Sequence, residues 1–160
     1  MPEFVNGLPL HPLLVHFVVV LLPLAVLGSI VIAVWPVARE RFGWLVVAVA
    51  AVATLLVPFT TNAGAKLKAR VGPDNPRILR HEQLGNLMIY WAVPVLVFAA
   101  ALMVVHELNK RQVIRWAKLA TMILAVLTIG AGVGAGIHVY RVGDAGSRAS
   151  YGDVHNLPPK

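Results

Sequence analysis

The chain has 160 residues, 58% of them hydrophobic and only 13% charged, with a formal net charge of +7 and no cysteine. A soluble domain is about a quarter charged, so this composition excludes an ordinary water-soluble fold, and the missing cysteine excludes disulfides, thiolate metal ligands and a cysteine nucleophile. The basic residues flank apolar runs, the pattern of membrane topology determinants and not of a nucleic-acid-binding face.

Several apolar runs exceed the ~18 residues that mark a transmembrane helix. The first opens with His11-Pro12. Pro12 suits the first helical position, because its missing N–H would be unpaired there. His11 then becomes the expected N-cap, and the helix is predicted over residues 12–35 with Pro23 inside it. His16 is the only ionisable residue in that span, and an ionisable group inside a spanning helix is by default a functional site. No basic segment precedes the run, since the first Lys or Arg is Arg39, so a retained helix is expected instead of a cleaved leader. A second, Ala- and Val-rich helix is predicted over residues 42–59, with Pro58 near its end. Residues 65–83 read as the longest polar connection. Within it Asn75-Pro76 has the form of an N-cap and first helical residue, which opens a third helix over residues 76–107. After a short basic turn the fourth helix is predicted over residues 114–140, its second half alternating Gly130, Gly132, Gly134 and Gly136. Residues 141–160 read as a polar tail, and no long internal repeat is visible.

The expected fold is all-α: a single integral membrane domain, a four-helix transmembrane bundle with up-down topology and both termini on the same side. The short turns carrying Arg39, Arg41, Lys110, Arg111, Arg115 and Lys118 have the denser positive charge. That places them in the cytoplasm and both termini outside it.

This topology gathers His11, His16, His81, His138 and His155 on the side of the termini and leaves only His106 opposite. Imidazole is a common metal ligand and an axial ligand of haem iron, and bundles build such sites from facing helices. His16, His81 and His138 are therefore candidate metal ligands. His16 with His81, or either with His138, is a candidate axial pair for one b-type haem, and His11 completes the candidate cofactor-binding set. Arg80 and Arg141 lie near the same level, where they can pair with propionates, and the glycines of the fourth helix can let a porphyrin approach backbone. Plainer readings compete. His11 serves as a cap, His16 as a hydrogen bonder between helices, His81 as an interfacial residue and His138 as a favourable charge at a helix C-terminus. The glycines then serve close helix packing. No phosphate loop, Ser-His-Asp set or zincin motif is present, so the chain is at most an electron-transfer component.

The motifs H-P-L-L-V-H-F at 11–17, H-E-Q-L-G at 81–85 and V-Y-R-V-G-D-A-G-S-R-A at 139–149 resemble a bacterial four-helix integral membrane family of unknown function (domain of unknown function 2231). The family typically has H-F-P-I after its second histidine, whereas this chain has His16-Phe17-Val18-Val19, which moves the early kink to Pro23. The resemblance implies a multi-pass protein of the bacterial plasma membrane that partners a redox module. The expected function is a small membrane redox subunit that binds haem b through histidines near the outer face. Its expected partners are the lipid bilayer, a redox protein or larger membrane complex, and a second copy of the chain. The alternatives are a non-catalytic accessory subunit, or a histidine-based proton or metal relay.

Overall fold

The computed structural model describes residues 4–71, 75–111 and 116–152. Two short strands, β1 (Phe4–Val5) and β2 (Leu8–Pro9), precede four helices: α1 (Leu10–Val34), α2 (Pro36–Val71), α3 (Pro76–Lys110) and α4 (Ala117–Tyr151). The strands pair antiparallel around Asn6-Gly7, both at positive φ (50° and 79°). Two consecutive left-handed residues are the requirement of a two-residue type I′ hairpin, and Asn-Gly is its preferred sequence.

All four helices are long and apolar enough to cross a membrane. They run up and down. The start of α1 bonds to the end of α2 through His11 and Thr60, the start of α3 to the end of α4 through His81 and Val142, and the start of α2 to the end of α3 through Glu40 and His106. α1 packs mainly on α2 and α3 on α4, the two hairpins close through α2–α3 and α1–α4, and α1 meets α3 only across the diagonal.

The core is built from small residues. Ala53 and Ala92 sit with Leu22, Val57 and Met88 at one level, Val26, Val95 and Ala135 at the next, and Ile32, Ala99, Leu102 and Met103 beyond. Large apolar side chains such as Val20, Leu24, Leu55, Val97 and Ile123 face outward. In lipid there is no gain from hiding them, and helices associate through close backbone packing instead. Gly43 shows this: a Cβ there would overlap the side chain of Met103.

Two helices run further than the apolar runs suggest. α2 continues to Val71 and α4 to Tyr151, through sequence read above as a connection and a tail. At 36 and 35 residues, they span about 54 Å and 52 Å, well beyond the ~30 Å hydrocarbon core. Their polar ends therefore project on the side of the termini, past the start of α1 at Leu10, and there α2 stays beside α3 through the Lys68–Glu82 ion pair. α1 begins at Leu10, so Pro9 precedes the helix and His11 lies inside its first turn. Asn75 caps α3 as expected, its side chain accepting from the Arg77 N–H at 2.9 Å, with Pro76 first in the helix.

The topology predicts opposite labelling from Val37 and Tyr151, 52% and 71% exposed. A membrane-impermeant maleimide applied to intact cells should label Cys at one position and not at the other. Labelling of both from one side would overturn the up-down arrangement.

Candidate functional site

Three of the predicted histidines join neighbouring helices. The His11 Nδ1–H donates to the Thr60 carbonyl at 2.9 Å, and the His81 Nδ1–H donates to the Val142 carbonyl at 3.1 Å. A carbonyl oxygen only accepts, so each ring carries its proton on Nδ1 and its Nε2 keeps a lone pair when neutral. Each ring also lies flat against a glycine four residues beyond its acceptor carbonyl. A Cβ at Gly64 would come 2.9 Å from His11 Cε1, and one at Gly146 would come 2.9 Å from His81 Cε1. His11, Thr60 and Gly64 thus form one unit, and His81, Val142 and Gly146 repeat it in the second hairpin.

The repeat is present in sequence, as Ala63-Gly64-Ala65-Lys66 and Ala145-Gly146-Ser147-Arg148, each paired with a histidine at the start of the preceding helix. The reading above singled out neither Gly64 nor Gly146. The signal that finds them is the four-residue match, a small pair followed two positions later by a cation. Membrane bundles with internal repeats often place their sites at the repeat interface. Here the two units meet: the His11 and His81 rings stand edge-on with centroids 6.2 Å apart and planes at 70°.

The other candidates lie elsewhere. His138 is buried, donates its Nε2–H to the Leu84 carbonyl at 2.9 Å and stacks on Trp91 at 5.9 Å. Its tautomer is the reverse of the pair's, and it serves the α3–α4 contact. His16 is exposed on α1, and its Nδ1–H bonds to its own helix at the Pro12 carbonyl, 2.5 Å away. It is not brought to His81 or His138. Arg80 shares a cleft with Arg77 and Arg148, whereas Arg141 lies on the exposed face of α4 and is not among the residues lining that cleft. Three of the α4 glycines pack helices: Gly134 receives the Trp91 ring, Gly132 faces Ile30 and Gly136 faces Val26, whereas nothing lies within 4 Å of a Cβ placed at Gly130. At the opposite end His106 Nε2 bonds Glu40 at 2.9 Å, and Glu40 also pairs with Lys110. His155 lies outside the described residues.

Among the described residues no group of three His, Asp or Glu side chains comes together. The pair alone falls short of the four-ligand shell of a structural zinc site. His11 and His81 are the residues that could hold a metal whose other donors come with it, through their Nε2 atoms. The Nδ1–H···O=C bonds are the usual outer partners of ligating histidines, fixing tautomer and ring orientation.

Comparison with known proteins agrees with the architecture. The family described as "Predicted membrane protein (DUF2231)" matches residues 7–157. No curated protein matches the chain, and no solved structure does. With nearly its whole length covered, the chain belongs to that predicted membrane protein family.

Proposed function

We propose that this member of the predicted membrane protein family is a small redox subunit that holds one b-type haem between His11 and His81. The observation that carries the reading is the paired geometry: two rings of the same tautomer, each pinned to a carbonyl and seated on a glycine, with centroids 6.2 Å apart. Haem supplies four equatorial nitrogen donors of its own, so two imidazoles are all that the protein must add. The Nδ1–H bonds keep both Nε2 lone pairs available and fix the ring orientations. Both histidines are half-buried among the helices near the end of the bundle that carries the N-terminus. Haem bound there would supply one-electron transfer. The denser basic turns at Arg39, Arg41, Lys110 and Arg111 favour the cytoplasm for the opposite end. The pair would then face the outside of a bacterial plasma membrane, toward a redox protein or larger complex.

The test is the absorption spectrum of detergent-purified protein produced with ample haem. A Soret band that shifts on reduction is expected, with its low-spin form lost in both His11→Ala and His81→Ala and kept in His16→Ala. A colourless wild-type protein would overturn the reading.

A second reading has its own observation. His11, His81 and His138 all tie one helix to a carbonyl of the next, as in an accessory subunit whose polar residues only lock the bundle. It predicts a colourless protein in which each alanine substitution costs about 0.6–2 kcal/mol.

A further inference from the structure

The two hairpins share the histidine unit but not the space beside it. In the first hairpin the cleft next to Ala63 and Lys66 is closed by Phe4 and Pro9 from the N-terminal strands and by Leu10 at the start of α1, leaving about 10 Å³. Phe4 is held there under the Arg70 guanidinium, 5.2 Å above its ring. In the second hairpin the matching positions Ala145 and Arg148 border an open cleft of about 390 Å³, within the usual size range of ligand sites. Arg80, one residue before His81, replaces Leu10, which stands one residue before His11. Arg77 completes the lining and lies over Gly152, where any Cβ would overlap its guanidinium. Three arginines line the cleft with one carboxylate, Asp144, which Arg148 holds through both oxygens at 3.0 and 2.9 Å.

The depth of this cleft matters. Asp144 lies one helical turn beyond Tyr140, where the apolar part of α4 ends. One turn is about 5–6 Å, and the headgroup layer is roughly 5–8 Å thick on each side of the hydrocarbon core. The inner end of the cleft, at Asp144, therefore lies at the level of lipid phosphates, and the cleft runs outward past Arg148 and Gly152, about 12 and 18 Å beyond Tyr140. Guanidinium groups recognise phosphate oxygens bidentately, and clustered cations near a membrane surface attract anionic headgroups.

We propose that the Arg77–Arg80–Arg148 cleft is a binding site for a phosphate-bearing anion at the membrane surface. The site is independent of the histidine pair and stands whether or not haem is bound. Both phosphate sources, the headgroup of an anionic phospholipid and free inorganic phosphate, offer the same oxygens to it. Native mass spectrometry of the full chain in detergent, with equal amounts of phosphatidylglycerol and phosphatidylcholine, tests the lipid. Thermal melting in millimolar inorganic phosphate tests the free anion. Wild type is expected to retain phosphatidylglycerol roughly tenfold or more over phosphatidylcholine. The double variant Arg80→Gln/Arg148→Gln should lose that preference with its helical circular dichroism unchanged. The variant Lys66→Gln/Arg70→Gln, on the closed side, should keep it. Stabilisation by inorganic phosphate in wild type but not in Arg80→Gln/Arg148→Gln, without a lipid preference, would support the site and assign it to the free anion. Equal behaviour of wild type and Arg80→Gln/Arg148→Gln in both assays would overturn the proposal. So would equal loss in the two double variants, because general surface charge would then account for the binding.

Discussion

Arg39→Met is expected to lower the stability of the bundle by about 2–4 kcal/mol, the largest loss from any single side chain outside the close-packed core. α1 ends at Val34, and Pro36 has no N–H with which to carry the hydrogen-bond ladder across the corner. The last carbonyls of α1 therefore need partners from elsewhere. Arg39, only 7% exposed, reaches back from the first turn of α2 and gives its Nε–H to Ile32 at 2.7 Å and an Nη2–H to Ala33 at 2.6 Å. Its charge also sits at the negative end of the α1 dipole, where a cation is favoured. Bonds from a charged donor contribute about 1.5–3 kcal/mol each. Relief of the buried cation's desolvation offsets part of their loss, which leaves the stated range. Met keeps the stem volume, so the loss reports the bonds and not a cavity. Lys, with one ammonium in place of a planar fork, should recover about half. Thermal melting in detergent measures both variants, and a midpoint for Arg39→Met within a degree of wild type would remove the capping role.

The number, order and direction of the helices were legible because apolar runs of membrane length have few other interpretations. Their ends were less so. Lys66, Lys68 and Arg70 mark the limit of the apolar run, not of the helix, because α2 continues beside α3, to which it is tied by the Lys68–Glu82 ion pair at 2.7 Å. Hydropathy reports the solvent of a residue and is silent on whether its backbone stays helical. His16 teaches the same point from inside the membrane. Its apolar flanks promise shielding, but around a lipid-facing helix they promise only lipid, and the helical phase turns His16 outward while His11 turns inward. The histidine pair was legible in kind but not in membership. His81 and His11 were both candidates, yet what unites them is the glycine seat on the neighbouring helix, far away in sequence. The spacing from histidine to glycine differs between the hairpins, so the repeat escapes a search for fixed periods. The α4 glycines drew attention by their alternation, although Gly132, Gly134 and Gly136 are spent on packing against Ile30, Trp91 and Val26.

The glycine seats make the second large prediction. Gly64→Val and Gly146→Val should each cost about 2–4 kcal/mol, combining overpacking with the loss of one hydrogen bond. Each should also displace a histidine that is itself unchanged. The physical reason is the 2.9 Å approach of Cε1 to the site of the missing Cβ in both units, tighter than a methyl group can share. The ring must move away by several tenths of an ångström. Its Nδ1–H then loses the carbonyl four residues upstream on the same helix, Thr60 or Val142. Gly85 provides the opposite control, since nothing lies within 4 Å of a Cβ placed there. Gly85→Ala should leave the spectrum intact and stabilise the helix by about 0.5–1 kcal/mol, because the glycine's backbone entropy is no longer lost on folding. Cofactor content and melting midpoint, measured together, separate ligation from locking. If the pair ligates haem, either valine variant loses the low-spin spectrum at temperatures where its helices are still folded, as an offset ligand cannot reach the iron. If the histidines only lock the hairpins, melting falls with no spectral change to follow. Valine variants that keep both the wild-type spectrum and the wild-type midpoint would mean that the seats hold nothing in place, and the site built from the two repeats would fall with them.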